Sequence, residues 1–277
     1  MKKEEVRKTV REGYAQVAKS GSSCCAPQSS CCCSSNAATD ISKKIGYSDQ
    51  DIESVPDGAN LGLGCGNPVA LASLKEGEVV LDLGSGAGFD CFLAANIVGK
   101  TGKVIGVDMT PEMIEKAREN ARKGGYTNVE FRLGEIENLP TADNYVDAII
   151  SNCVINLSPE KDRVFRDAFR VLKPGGRLMV SDIVLMSELP DSIKKSVAAY
   201  VSCVAGAAMK DEYMENIKSA GFREVTIVDE ATFPTDYAVK DPAIQALAND
   251  FGISKADLKK LGGSIKSIKV HAVKPGK

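Results

Sequence analysis

The sequence predicts an α/β fold: a doubly wound, mainly parallel sheet of seven strands, with an N-terminal helix, a Cys-rich tail and substrate-covering segments around it. Three observations carry that expectation. From Val79 onward, short β-branched runs alternate with stretches of helical period, the pattern of repeated βαβ units. Val79 to Asp90 reads V-V-L-D-L-G-S-G-A-G-F-D, a buried strand passing through a glycine-rich turn into a helix. An acidic residue, Asp108, then ends the next strand about one βαβ repeat later.

Taken in order, residues 2–19 read as a helix, with Val6, Val10, Tyr14 and Val17 recurring on one face. Residues 21–40 are rich in Ser, Cys and Ala without apolar period and read as a mobile linker or tail. Strands are expected at 79–83, 104–108, 129–133, 146–151, 177–182, 225–228 and 268–273. Helices are expected at 89–98, 111–123, 160–172, 191–208 and 211–220, the second capped by Thr110 with Pro111 at its first position. Gly124, Gly175 and Gly221 fall where helix ends call for a left-handed residue. The stretch 232–263 separates the last two strands and is expected to cover an edge. The chain thus divides into an N-terminal helix and Cys-rich segment (1–40), the main α/β domain including the helix that bears Cys203 (41–230), and a C-terminal substrate-side segment with the last strand (231–277).

Composition narrows the function classes. The chain is 43% hydrophobic and 26% charged, with no long uncharged apolar run, so a soluble protein with a sizeable core is expected. A net charge of −2 gives no general pull toward nucleic acid or anionic membranes. The mixed-charge N-terminus leads into no apolar stretch and does not read as a secretory signal, which favours the cytoplasm. Nine cysteines, several adjacent, suit a disulfide framework poorly and read as ligands or redox groups in a reducing compartment. His271 is the sole histidine, which disfavours zinc sites and histidine-based acid–base catalysis; alternating with Val270 and Val273, it reads as structural.

Gly84, Gly86 and Gly88 let the backbone approach a ligand closely, and the helix that follows offers unpaired N–H groups. The spacing departs from the dinucleotide pattern, which wants a small residue where Phe89 stands. Asp108 is placed to accept two ribose hydroxyls. Gly134, Glu135 and Ile136 end the third strand, where an adenine would lie; Glu137 reads more as an ordinary solvated loop residue. Asn152 ends the fourth strand, and Leu172-Lys173-Pro174-Gly175-Gly176 leads into the fifth. This order, over roughly residues 74–182, resembles the class I S-adenosylmethionine-dependent methyltransferases with their Rossmann-like fold. The resemblance implies S-adenosyl-L-methionine as cofactor, with Tyr47, Asp82, Met109 and Cys153 joining the binding residues above.

Ligands of open α/β sheets sit beyond the carboxyl ends of the strands, and Cys153 lies there, directly after Ser151-Asn152. A thiol is a poor general base for a methyl acceptor but a good ligand for a soft element. Cys65 sits among loop glycines, Leu-Gly-Leu-Gly-Cys-Gly-Asn-Pro, shortly before the first strand. Cys203 lies in Tyr-Val-Ser-Cys-Val-Ala-Gly, on a helix suited to a pocket lid, whereas Cys91 beside Phe92 and Leu93 reads as a core thiol. Tyr47 in Ile-Gly-Tyr-Ser, the Gly-Cys65-Gly loop, Ser-Asn-Cys153-Val-Ile-Asn-Leu and the Cys203 helix together resemble the arsenite methyltransferases, over about residues 10–222. Eukaryotic members carry an aromatic residue near the position of Leu63.

That resemblance implies that Cys65, Cys153 and Cys203 hold trivalent arsenic as thiolates, its lone pair directed at the methyl group. It also implies a redox role for one cysteine of the N-terminal cluster, Cys24, Cys25, Cys31, Cys32 or Cys33, of which Cys33 is the candidate taken forward. It further implies arsenite and methylarsenite as substrates and a thiol reductant, thioredoxin or glutathione; a monomer is expected. Two alternatives stand beside it: a methyltransferase for a small organic substrate such as a quinone, and a non-catalytic metalloid-sequestering protein. Neither accounts both for the dispersed cysteines and for the intact cofactor motifs.

Overall fold

The computed structural model describes residues 3–20, 36–189, 206–232 and 264–276. The strands are β1 (Val79–Leu83), β2 (Lys103–Asp108), β3 (Val129–Leu133), β4 (Val146–Asn152), β5 (Leu172–Leu185), β6 (Arg223–Thr232) and β7 (Ile265–Val273). The helices are α1 (Lys3–Ser20), α2 (Asn36–Lys44), α3 (Asp49–Glu53), α4 (Pro68–Leu71), α5 (Phe89–Val98), α6 (Pro111–Lys123), α7 (Lys161–Val171) and α8 (Lys210–Ser219). All seven strands join one sheet in the order β3-β2-β1-β4-β5-β7-β6, parallel except for β7, which runs antiparallel to β5 and β6.

Burial on both faces explains why the central strands read as continuous apolar runs. On β1 and β4, Leu81, Leu83 and Ile149 face α7 and α8, packing with Val164, Phe165, Tyr213 and Ile217. Val80, Ala148 and Ile150 alternate to the other face, toward Phe92, Ala94 and Ala117 of α5 and α6. Because β2 and β4 flank β1, the β1–α5 turn opens at the centre of the carboxyl edge, where a ligand can enter between strands that diverge.

Helix α1 crosses that edge. Val10 packs with Cys153, Leu157 and Ile183, and Val17 and Ala18 pack with Leu61, Ala87 and Met113. The face expected of Val6, Val10, Tyr14 and Val17 is the one that docks, although Tyr14 stays only partly buried.

Several expectations change. Strands β5, β6 and β7 are longer than their apolar patterns, because β5 and β7 pair from Arg177 with Val273 to Leu185 with Ile265, and a continuous ladder holds residues of any polarity. The end of the 21–40 segment is helix α2, not linker: Ser42 is buried and donates to Asn60 Oδ1 at 2.9 Å, and Ala38 lies against Gly62. At the end of α6 the left-handed residue is Gly125 (φ 68°), not Gly124 (φ −81°), and Gly175 (φ 80°) turns within β5 instead of ending α7. Gly221 (φ 109°) ends α8 as expected. Residues 206–208 of the helix expected over 191–208 are non-helical; 190–205 and 233–263 lie outside the described residues.

Candidate active site

The three turn glycines have separate physical reasons. A Cβ on Gly84 would stand 2.4 Å from the Val154 side chain, and one on Gly88 would stand 2.8 Å from Phe92 and Phe131. On Gly86 it would meet nothing within 4 Å, although φ is +52°. The turn is therefore wedged against protein on both sides and open at its middle, a cradle whose floor is bare backbone.

Around it stand carboxylates. Asp108 accepts the backbone N–H groups of Gly86 at 3.0 Å and Thr110 at 2.8 Å, which ties the turn to the end of β2. Asp82 lies beneath, accepting from the Cys91 thiol at 3.2 Å. Asp90, the second residue of α5, accepts the Tyr47 hydroxyl at 2.6 Å. Burial raises the carboxyl groups of Asp82 and Asp108 above the ordinary range, the nearby Asp90 adding to Asp82, and pushes Asp90 up to about 6. The phenol of Tyr47 and the thiol of Cys91 are pushed up by burial too, the first by Asp90 as well and the second by Asp82. Gly134 donates to the carbonyl of Asp108 at 3.0 Å, Ile136 is buried, and Met109 packs partly buried against the cluster that holds Val10, Cys153 and Leu157.

The second half of the site is the Gly-Cys-Gly loop. Asn152, the last residue of β4, holds it with both ends of its amide: Oδ1 accepts the Cys65 N–H at 3.0 Å, and Nδ2 donates to the Gly66 carbonyl at 2.7 Å. The same Nδ2 reaches the Tyr47 hydroxyl at 2.9 Å and Asp90 at 3.2 Å. Both glycines are required by what lies over them. A Cβ on Gly64 would fall 2.7 Å from the Asn152 amide, and one on Gly66 would fall 2.0 Å from Ser181 Oγ.

Held so, Cys65 meets Cys153. Cys153 takes a left-handed backbone (φ 55°), costly for a residue with a side chain, and its N–H donates to the Ser181 carbonyl at 2.8 Å. The two cysteines form a disulfide with Cα atoms 5.8 Å apart, across 88 residues of sequence. This corrects the expectation of free thiols, because pairing depends on where Asn152 holds the loop, which spacing along the chain does not encode. The carboxylate of Asp182 lies within 4.8 Å of both sulfurs.

Helix α1 closes the side of the site at the end of β3 through Arg7. This nearly buried guanidinium donates to Glu160 at 2.5 Å and to Glu137 at 3.2 Å, with Glu135 at 3.6 Å. Glu137, expected in a solvated loop, is 5% exposed and also accepts from Ser158 at 2.6 Å, whereas Glu135 is the more exposed of the two. Docking of α1 decides which acid is buried. Leu63 packs partly buried against the cluster of Val17, Ala18, Leu61 and Met113.

Of the site residues expected from sequence, Tyr47, Asp82, Gly84, Gly86, Gly88, Asp108 and Asn152 converge on the cradle, and Cys65 and Cys153 join beside it. Cys91 is a buried free thiol as expected. His271 lies in β7 opposite Met179 and Thr226. Cys203, Cys33 and the other N-terminal cysteines lie outside the described residues. Sequence reasoning missed Asp90, Asp182 and Arg7. Asp182 ends the strand expected over 177–182 and Asp90 follows the glycine turn, two places where position alone is a signal. Arg7, one of many charges on α1, carries none.

The family model described as a methyltransferase domain matches residues 74–221, more than half of the chain. An arsenite methyltransferase of Halobacterium salinarum is 54% identical over 237 residues, 83% of this chain and 61% of the relative. One from Aquipseudomonas alcaligenes is 42% identical over 174 residues, 60% of this chain and 50% of the relative. The chain therefore spans about half to three-fifths of the length of these relatives. Among solved structures, an arsenic(III) S-adenosylmethionine methyltransferase from Chlamydomonas reinhardtii superposes with a TM-score of 0.61 at 30% identity, covering 86% of this chain and 73% of that one. With the cradle, the end of β2 and the paired cysteines in place, these matches mean that the chain belongs to the class I methyltransferases and, among them, to the arsenite methyltransferase family.

Proposed function

We propose that this protein transfers the methyl group of S-adenosyl-L-methionine to trivalent arsenic, arsenite and methylarsenite, bound by cysteine thiolates. The observation that carries the reading is the meeting of Cys65 and Cys153 beside the open middle of the glycine turn. The relatives' names supply the element; a sulfur pair at the strand ends supplies the chemistry, since thiolates favour soft elements.

The residues fit this cofactor. Gly86 offers bare backbone, Asp108 stands where ribose hydroxyls are held in such sheets, and the buried Asp82 and Asp90 with the half-buried Asp108 face the region without a cationic side chain hydrogen-bonded to any of them among the described residues. When bound, the cofactor supplies an electrophilic methyl group on a positively charged sulfur. Met109 and Ile136 would offer it apolar surface, and α1 would shield it from water.

Arsenic binding requires Cys65 and Cys153 as thiols, so the disulfide is reduced first, taking two electrons and two protons from thioredoxin or glutathione. The thiols then replace hydroxyl groups on arsenic, with Cys203 as the third sulfur. Cys33 is the candidate that exchanges with the pair in the redox part of the cycle. Arsenic held by thiolates presents its lone pair, so transfer needs positioning and no general base. The protein acts as a cytoplasmic monomer. No described helix is long and apolar enough to cross a membrane.

The test is a reaction of the purified chain with S-adenosyl-L-methionine, arsenite and a dithiol, with products separated by chromatography and arsenic detected by element. Methylated arsenic is expected, and its loss in Cys65→Ser and Cys153→Ser while calorimetry still finds cofactor bound. Full activity in Cys153→Ser overturns the proposal.

A further inference from the structure

Asp182 lies at the carboxyl side of the sheet, fully buried. Its Oδ1 accepts Asn156 Nδ2 at 2.8 Å and the Ile183 N–H at 2.9 Å, and its Oδ2 accepts the Tyr213 hydroxyl at 3.1 Å. All three donors are neutral, and a carboxylate has about four lone-pair positions, so its capacity is not filled. Burial raises this carboxyl group to about 6. Lys161 acts on it through space, yet an amide would satisfy the three hydrogen-bond donors without a buried charge. The reason for an acid lies beside it: a carboxylate oxygen and the sulfurs of Cys65 and Cys153 all fall within 4.8 Å of one another.

We propose that Asp182 contacts substrate, as the oxygen member of a two-sulfur, one-oxygen site that reads the third position on trivalent arsenic. This rests on the reading that Cys65 and Cys153 take arsenic as thiolates. Arsenite, As(OH)3, enters by exchange: two As–O bonds break and two As–S bonds form, each thiol proton leaving with a hydroxide as water. No electrons are transferred. Until Cys203 displaces it, the adduct keeps one As–OH group, which donates its hydrogen to Asp182. Methylarsenite has two exchangeable hydroxyls, both lost to sulfur, and leaves Asp182 nothing to accept. Asp182 therefore favours the unmethylated substrate.

The experiment uses the full chain carrying Cys203→Ser, so that this thiol does not displace the remaining hydroxyl. The reduced protein is dialysed to equilibrium against arsenite or methylarsenite, and bound arsenic is measured by element. Asp182→Asn is expected to weaken arsenite binding about tenfold, as for a lost hydrogen bond to a charged group, while methylarsenite binding stays unchanged. Asp182→Ser serves the same comparison should the amide variant not fold. Equal loss for both ligands, or loss for neither, overturns the assignment. Failure of the parent chain to bind methylarsenite overturns the dithiol reading and this inference with it.

Discussion

The backbone N–H of Cys65 donates to Asn152 Oδ1 at 3.0 Å across 87 residues of sequence. The residue that ends β4 next to Cys153 thus also fixes the loop bearing the other sulfur. Through its Nδ2, Asn152 reaches Tyr47 and Asp90, so the cofactor cradle and the sulfur pair share one hydrogen-bonded side chain.

Replacing Asn152 by Ala should therefore uncouple the two halves. The variant leaves the Cys65 N–H and Gly66 C=O without this partner, and a loss of about 2–4 kcal/mol in urea unfolding is expected for two unmet groups. Trapping of free thiols followed by mass spectrometry should find the Cys65–Cys153 bond largely unformed under air oxidation. An intact bond with parental stability would refute the clamp.

Two glycine substitutions separate crowding from ligand approach. In Gly66→Ala the new methyl falls 2.0 Å from Ser181 Oγ, so the loop must move and methylation should collapse while cofactor affinity is kept. In Gly86→Ala no protein atom is met, and only the left-handed backbone is penalised, by about 1–2 kcal/mol. Cofactor affinity should nevertheless fall at least tenfold by calorimetry, because the methyl occupies the cradle. Parental affinity in Gly86→Ala would mean that the cofactor backbone contact lies elsewhere.

Arg7 should matter more than its place near the N-terminus suggests. Arg7→Met leaves Glu137 buried without its cation, a change that costs about 3–5 kcal/mol for buried pairs. Undocking of α1 is the cheaper response, so hydrogen exchange over residues 3–20 should quicken sharply and cofactor affinity should drop. Unchanged protection there would show that α1 is held by Val10 and Val17 alone.

Stability should depend on pH through Asp182. Its carboxyl is raised from 3.8 to about 6 in the folded state by burial, so between about pH 4 and 6 the folded chain binds the proton more tightly than the unfolded chain. This contribution is favourable below about pH 4 and is lost as pH rises through 6, by roughly 3 kcal/mol. Urea midpoints at pH 4.5 and 7 for the parent and Asp182→Asn test it: the variant should lose that part of the slope. Parallel pH profiles would place the titration elsewhere.

Much of the fold was legible because its signals are local. Helices α5 and α6 run over the residues expected, since the glycine turn and Thr110-Pro111 fix where each starts. Strand cores were found for the same reason, while the ends of β5, β6 and β7 were not, because ladder pairing extends a strand wherever a partner continues.

By itself the sequence determined the βαβ order, the turn that needs Gly84, Gly86 and Gly88, and the acid at the end of β2. Each follows from backbone conformation and periodicity within a few residues. Only the tertiary structure decided that Cys65 and Cys153 join, that Glu137 and not Glu135 is buried, and that Asp182 stands against the sulfurs. Those relations depend on side chains brought together across roughly 30 to 130 residues by packing of the sheet, α1 and the Cys65 loop. Distance along the chain carries no record of such contacts, because they are fixed by which surfaces exclude water together.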